Sequence, residues 1–142
     1  MIRTSKAIVA LGMSLALLVA VGTVEAQKTQ GKSRPASTKF LMAGIVQPHC
    51  KSLGDQLKGD GPAADKAWET AACHAACLNE LSYTLMDDGR CPDGVWAGAV
   101  KNLREASSAA IKATKEKDLA GTKAAFKKVT ESCGACHKAH KK

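Results

Sequence analysis

Aromatic side chains are scarce in this 142-residue chain: 4% of the total, made up of two Trp, one Tyr and two Phe. β-Branched residues are also few, and no apolar/polar alternation persists beyond a few positions, which excludes a sheet core. No repeat of fixed period stands out, so a solenoid is excluded as well. The length covers one small domain and leaves no room for a multidomain enzyme. Acidic residues number 13 against 21 Lys and Arg, giving a net charge of +8. Such a balance favours acidic partners or surfaces. No nucleophile and general base are set out as hydrolysis requires, so the chain reads as something other than an enzyme. What is abundant is Ala, Lys and Leu, which favours helices. With so few large side chains, a folded core of about 100 residues is thin unless another body supplies bulk.

The chain opens with a short basic start at Arg3 and Lys6, an apolar run from Ala7 to Val21, and Val24-Glu25-Ala26 as a small-residue exit before Gln27. The run is about 15 residues, marginal against the roughly 20 that span a bilayer. Residues 1–26 therefore read as a cleaved secretory signal, which predicts an exported, periplasmic protein with no stable membrane insertion after cleavage. Losing Arg3, Lys6 and Glu25 removes one net positive charge, and the remainder stays basic. Residues 27–37, QKTQGKSRPAS, are polar, basic and broken by Gly31 and Pro35. They read as a flexible basic linker.

Residues 38–142 divide into four helical stretches. The first runs from about Thr38 to Leu57, with Met42, Ile45, Val46, His49, Leu53 and Leu57 three and four apart, and Pro48 as an internal blemish. The second opens at Asp60-Gly61-Pro62 and carries Trp68, Ala72, Ala75, Leu78, Tyr83 and Met86. The third starts at Pro92-Asp93, with Trp96, Val100, Leu103 and Ile111 on one side. The fourth is capped by Asp118 and shows Leu119, Thr122, Phe126, Val129, Cys133 and His137. Short connections between amphipathic segments of about 20 residues predict an all-α, up-down-up-down antiparallel four-helix bundle.

Chemistry concentrates at Cys133-Gly134-Ala135-Cys136-His137. C-x-x-C-H is the attachment box of c-type haem. Two thiols three positions apart reach the two vinyl groups on one edge of the macrocycle, and the adjacent imidazole becomes the proximal iron ligand. Gly134 and Ala135 are small enough to let the ring's edge approach. A dithiol redox motif normally starts a helix in a strand-containing fold, whereas this one ends a helix. Cys73, His74 and Cys77 lack the spacing of a zinc finger. The expected cofactor is therefore one covalently bound haem c, with Cys133 and Cys136 as thioethers.

A signal sequence, four helices and CGACHKAHKK at the end together resemble the class II c-type cytochromes, the cytochrome c prime and cytochrome c-556 group, over the whole mature domain. That resemblance implies an exported bundle with one haem, His137 proximal, and a first-helix residue on the distal side. Low-spin relatives place a methionine there and carry electrons, whereas high-spin relatives leave the site open and bind nitric oxide or carbon monoxide. Some relatives pair as homodimers.

Bundle register addresses the distal residue separately. If Thr38 lies level with the chain's last turn, His137 lies level with residue 42 at a rise of 1.5 Å per residue. Met42 is the first choice for the distal position, with core filler as its alternative role. His49, seven residues on, shares Met42's helical face but lies about 10 Å further along the axis. The same register brings Tyr83, Met86 and Trp96 to this end as pocket residues, and Met86 is the second choice as ligand.

Cys50, Cys73, Cys77 and Cys91 lie outside the box and depart from the family's usual pattern. Their even number in an oxidising compartment suggests disulfides, and antiparallel register favours Cys50 with Cys73, with free thiols as the alternative. His49, His74 and His140 read as boundary or locally satisfied histidines. Lys138, Lys141 and Lys142 form a basic rim beside the box that would steer an acidic redox partner protein. Nucleic acid is not an expected partner, since no recognition motif accompanies the charge.

Overall fold

A computed structural model describes residues 30–141. The signal expected at residues 1–26 lies outside this range. The described chain contains α1 (Thr38–Leu41), a π-helical segment (Met42–Val46), α2 (Gln47–Gln56), α3 (Asp65–Thr84), α4 (Gly94–Lys115) and α5 (Leu119–His140). The first three run on as one rod, so four rods form the bundle. Among the described residues the only extended pairing is an isolated bridge between Gln30 and Ser37. No helix among them is long and apolar enough to cross a membrane.

The π-helical segment accounts for Pro48. Proline has no N–H to give, and in an α-helix its ring presses on the carbonyl four residues back, here Gly44. The backbone widens instead: Gln47 N–H bonds Met42 O, five residues back, and Pro48 then sits in the first turn of α2. A widened turn adds about one residue, which rotates everything after it by roughly 100° relative to an unbroken helix. Cys50, not His49, therefore returns to Met42's side of the rod.

The other boundaries follow capping chemistry. Asp118 accepts from Gly121 N at 2.9 Å, so the expected cap operates, and Asp93, at the expected start of the third stretch, accepts from Trp96 N at 2.9 Å as its cap. Asp60-Gly61-Pro62 does not open the second long helix. Gly59 and Gly61 adopt positive φ in a turn, and α3 begins at Asp65 behind Ala64, which offers no side-chain cap.

The core resolves the shortage of bulk in part by closeness. Leu53, Leu78, Leu81, Leu85, Leu103 and Val129 are buried, and Ala71, Ala75, Ala106, Ala110 and Ala125 are buried with them. Alanine seams let α3, α4 and α5 approach to interior packing density without large side chains. Buried Ser107, Thr114, Thr122 and Ser132 bond carbonyls three or four residues back on their own helices, so their hydroxyls need no cross-helix partner. The apolar face of α3 runs through Leu78, Leu81 and Leu85, which leaves Tyr83 48% exposed.

The stretch expected as a flexible linker is tied down from Gln30 onward. Lys32 N bonds Asp88 O at 2.9 Å, and Asp88 accepts from Ser33 N, Ser33 Oγ and Arg34 N at 2.8, 2.9 and 2.9 Å. Arg90, 1% exposed, donates to Ala36 O at 2.7 Å and Arg34 O at 3.3 Å. Backbone polarity, which apolar patterning cannot see, fastens this segment.

Candidate functional site

Helix α5 packs closely on α4, α4 on α3, and α2 on α3, whereas α2 and α5 make few close backbone contacts. That looser seam is bridged by side chains, and near its Met42 end lies a small cleft with mostly apolar walls. Its lining is Met42 and Val46 from the π-helical segment, Leu85 after α3, Ala99, Val100 and Leu103 from α4, and Ser132, Cys133, Cys136 and His137 from α5. The antiparallel register thus brings Met42 and His137 to one cleft, and Cys133 and Cys136 line the same walls.

Each polar group in the cleft is tuned by its surroundings. Burial, with a smaller contribution from Asp93, pushes the Cys136 thiol up to about 11. Hydrogen bonding to Cys50 and then burial push Cys133 upward, and the same contact pulls Cys50 down to about 7. Both box sulfurs are protonated and free of disulfides, the form that adds across vinyl groups to give thioethers. Burial and then Lys141 hold His137 below the ordinary histidine value, which leaves a neutral imidazole with a lone pair for a metal. A thioether, an imidazole and two thiols on apolar walls are the donor set that one haem c requires, so the residues present fit that group.

Three expected pocket residues stand elsewhere. Trp96 is 2% exposed, donates Nε1–H to Leu85 O at 2.9 Å, and meets the His140 ring edge-on at 5.5 Å, outside the cleft lining. Tyr83 lies under the Arg104 guanidinium at 3.9 Å, facing outward. Met86 packs on the core without lining the cleft. Leu85, rather than its neighbour Met86, takes the inward place, because the inward face of α3 is set by Leu81 and Leu85. Val100 and Leu103 were legible as the stripe following Trp96, and Val46 as a neighbour of Met42, whereas Ala99 was not singled out. Ser132 could not have been singled out, since its hydroxyl is spent on Val129 O.

All six cysteines are free. The expected Cys50 and Cys73 pair does not form: the π-helical turn aims Cys50 at Cys133, and Cys73 is exposed. His49 is turned by the same rotation toward α3, where its Nδ1 lies 2.9 Å from His74 Nδ1. His140 Nε2 stands 3.4 Å from Asp93 Oδ1.

Comparison with curated proteins found no match, and comparison with solved structures found none. Residues 93–141 match the family model described as Cytochrome C'. The matched stretch contains α4, α5 and their capping aspartates, and it ends with the box and Lys141. Over these two helices and the C-x-x-C-H box they present, the chain is similar to the cytochrome c' family.

Proposed function

We propose that this protein is an exported monohaem c-type cytochrome that carries single electrons, with Met42 as the distal ligand. The observation that carries the reading is the shared cleft: Met42 from the first rod and Cys133, Cys136 and His137 from the last line one apolar space. One haem c bound there supplies an iron that gains and loses an electron. Cys133 and Cys136 would hold it as thioethers, and His137 would give its imidazole from one side. Val46, Leu85, Val100 and Leu103 exclude water from the cleft, and this low-polarity lining together with a methionine donor favours the reduced state. Lys138 and Lys141 stand beside the box, and a basic rim there would speed encounter with an acidic redox partner, at a rate that falls as salt rises.

The distal assignment is tested on the holoprotein. Native protein should be low-spin in both oxidation states and slow to bind carbon monoxide when reduced, and Met42→Ala should turn it high-spin. A native spectrum that is already high-spin, with rapid and complete carbon monoxide binding and no change on Met42→Ala, would overturn Met42 ligation. The cleft would then belong to a five-coordinate binder of nitric oxide or carbon monoxide.

A further inference from the structure

On the α2 and α3 side of the first rod, away from the cleft, two half-buried histidines face one another. His49 Nδ1 and His74 Nδ1 are 2.9 Å apart, with ring centroids at 5.2 Å and planes inclined by 51°. Twenty-five positions separate them in the chain, so only the packing of α2 on α3 brings them together. We propose that His49 and His74 form a second metal site, a two-imidazole chelate for a tetragonal divalent ion of the Ni²⁺ or Cu²⁺ kind.

Geometry selects that class. Two imidazole nitrogens each about 2.05 Å from a metal and 2.9 Å apart subtend about 90°. That is the cis angle of square-planar or octahedral coordination, whereas a tetrahedral ion would need the nitrogens about 3.3 Å apart. Without metal, the contact requires one Nδ1 to be protonated and donate to the other. Metal binding shifts the donating ring to its Nε2–H tautomer, with no net proton lost, and each ring swings about its Cβ–Cγ bond so that both Nδ1 lone pairs converge. Both rods are held elsewhere, by Leu53 in α2 and by Ala71, Ala75 and Leu78 in α3, so little backbone ordering remains to oppose chelation.

Among the described residues no cluster of three or more His, Cys, Asp or Glu is placed to hold a metal. The remaining coordination positions therefore fall to water or to a ligand from outside, which makes this an open site. Partial exposure of both rings gives an ion its path in. Imidazole donors with no thiolate suit Ni²⁺ and Cu²⁺ over softer ions, and the lack of carboxylates disfavours Mg²⁺ and Ca²⁺.

The test is Ni²⁺ titration of the mature holoprotein by calorimetry at neutral pH, Ni²⁺ being chosen because it does not oxidise the free thiols. The expected result is one ion bound per chain, with affinity at least 10-fold weaker in His49→Gln and in His74→Gln and unchanged in His140→Ala. Ni²⁺ should also raise the melting temperature of the wild-type protein and leave that of the two pair variants unmoved. Circular dichroism and the haem spectrum report whether each variant is folded. Equal isotherms for wild type and pair variants, loss in His140→Ala alone, or no binding up to millimolar Ni²⁺ would each show that the two rings are only a hydrogen-bonded pair.

Discussion

Replacing Arg90 by Ala should unfasten the segment that precedes the bundle and weaken the whole fold. The guanidinium is buried, donates to Ala36 O at 2.7 Å and to Arg34 O at 3.3 Å, and has Asp88 Oδ2 as its nearest carboxylate at 3.8 Å. A hydrogen bond to a charged group contributes about 1.5–3 kcal/mol, and the longer of these two lies at the weak end of that range. Truncation also leaves two carbonyls and a carboxylate without their cation, so the expected loss is about 3–5 kcal/mol. Denaturant unfolding of the holoprotein, followed by far-ultraviolet circular dichroism, measures it as a lower midpoint at unchanged slope. Hydrogen exchange supplies a local reading, because the Lys32, Ser33 and Arg34 amides all donate to Asp88 and should lose protection. A loss under about 1 kcal/mol, the level of an exposed arginine, with these amides still protected, would refute the reasoning.

Two further predictions concern packing and charge. A Cβ at Gly54 would fall 2.9 Å from Phe126 Cζ and 3.1 Å from Cε1, across the looser seam. Gly54→Ala should therefore lose about 1 kcal/mol, since overpacking of about 1–3 kcal/mol exceeds a helix-propensity gain near 1 kcal/mol. Gly98→Ala, with nothing within 4 Å, should gain stability, and the same sign for both in thermal melts would defeat the argument. The Asp55 carboxyl, bonded first by Lys51 and then by Lys58, is lowered from 3.8 to about 2. Because the folded value is depressed, whatever stability it contributes is present above 3.8 and fades as pH falls toward 2. The pair is exposed, so salt should erase most of the shift, and a carboxyl-carbon NMR titration with a midpoint near 3.8 at low salt would contradict the assignment.

The site's composition was legible in one dimension because its chemistry is local. A C-x-x-C-H box holds its two sulfurs and its imidazole within five consecutive residues, so Cys133, Cys136 and His137 could be read as one candidate cluster. Met42 was legible because antiparallel register is arithmetic: equal rise per residue on the first and last rods sets which positions stand level. Asp118 was legible as a cap, and Asp93 as a helix start, because a cap acts within three residues of itself. Tyr83, Met86 and Trp96 were read to the correct end of the bundle but not to the cleft. Rotation about a helix axis is sensitive to a single residue, whereas position along the axis is forgiving.

The helical class, the antiparallel order and the C-x-x-C-H cluster were legible from the chain alone, since these depend on composition, periodicity and contiguous spacing. Tertiary structure decided the rest through the widened turn at Met42–Val46, where Pro48 cannot complete the α-helical ladder. That one added residue of rotation carries Cys50 to Cys133 and His49 to His74. A pattern assuming one helical period along the whole rod places the two on each other's faces.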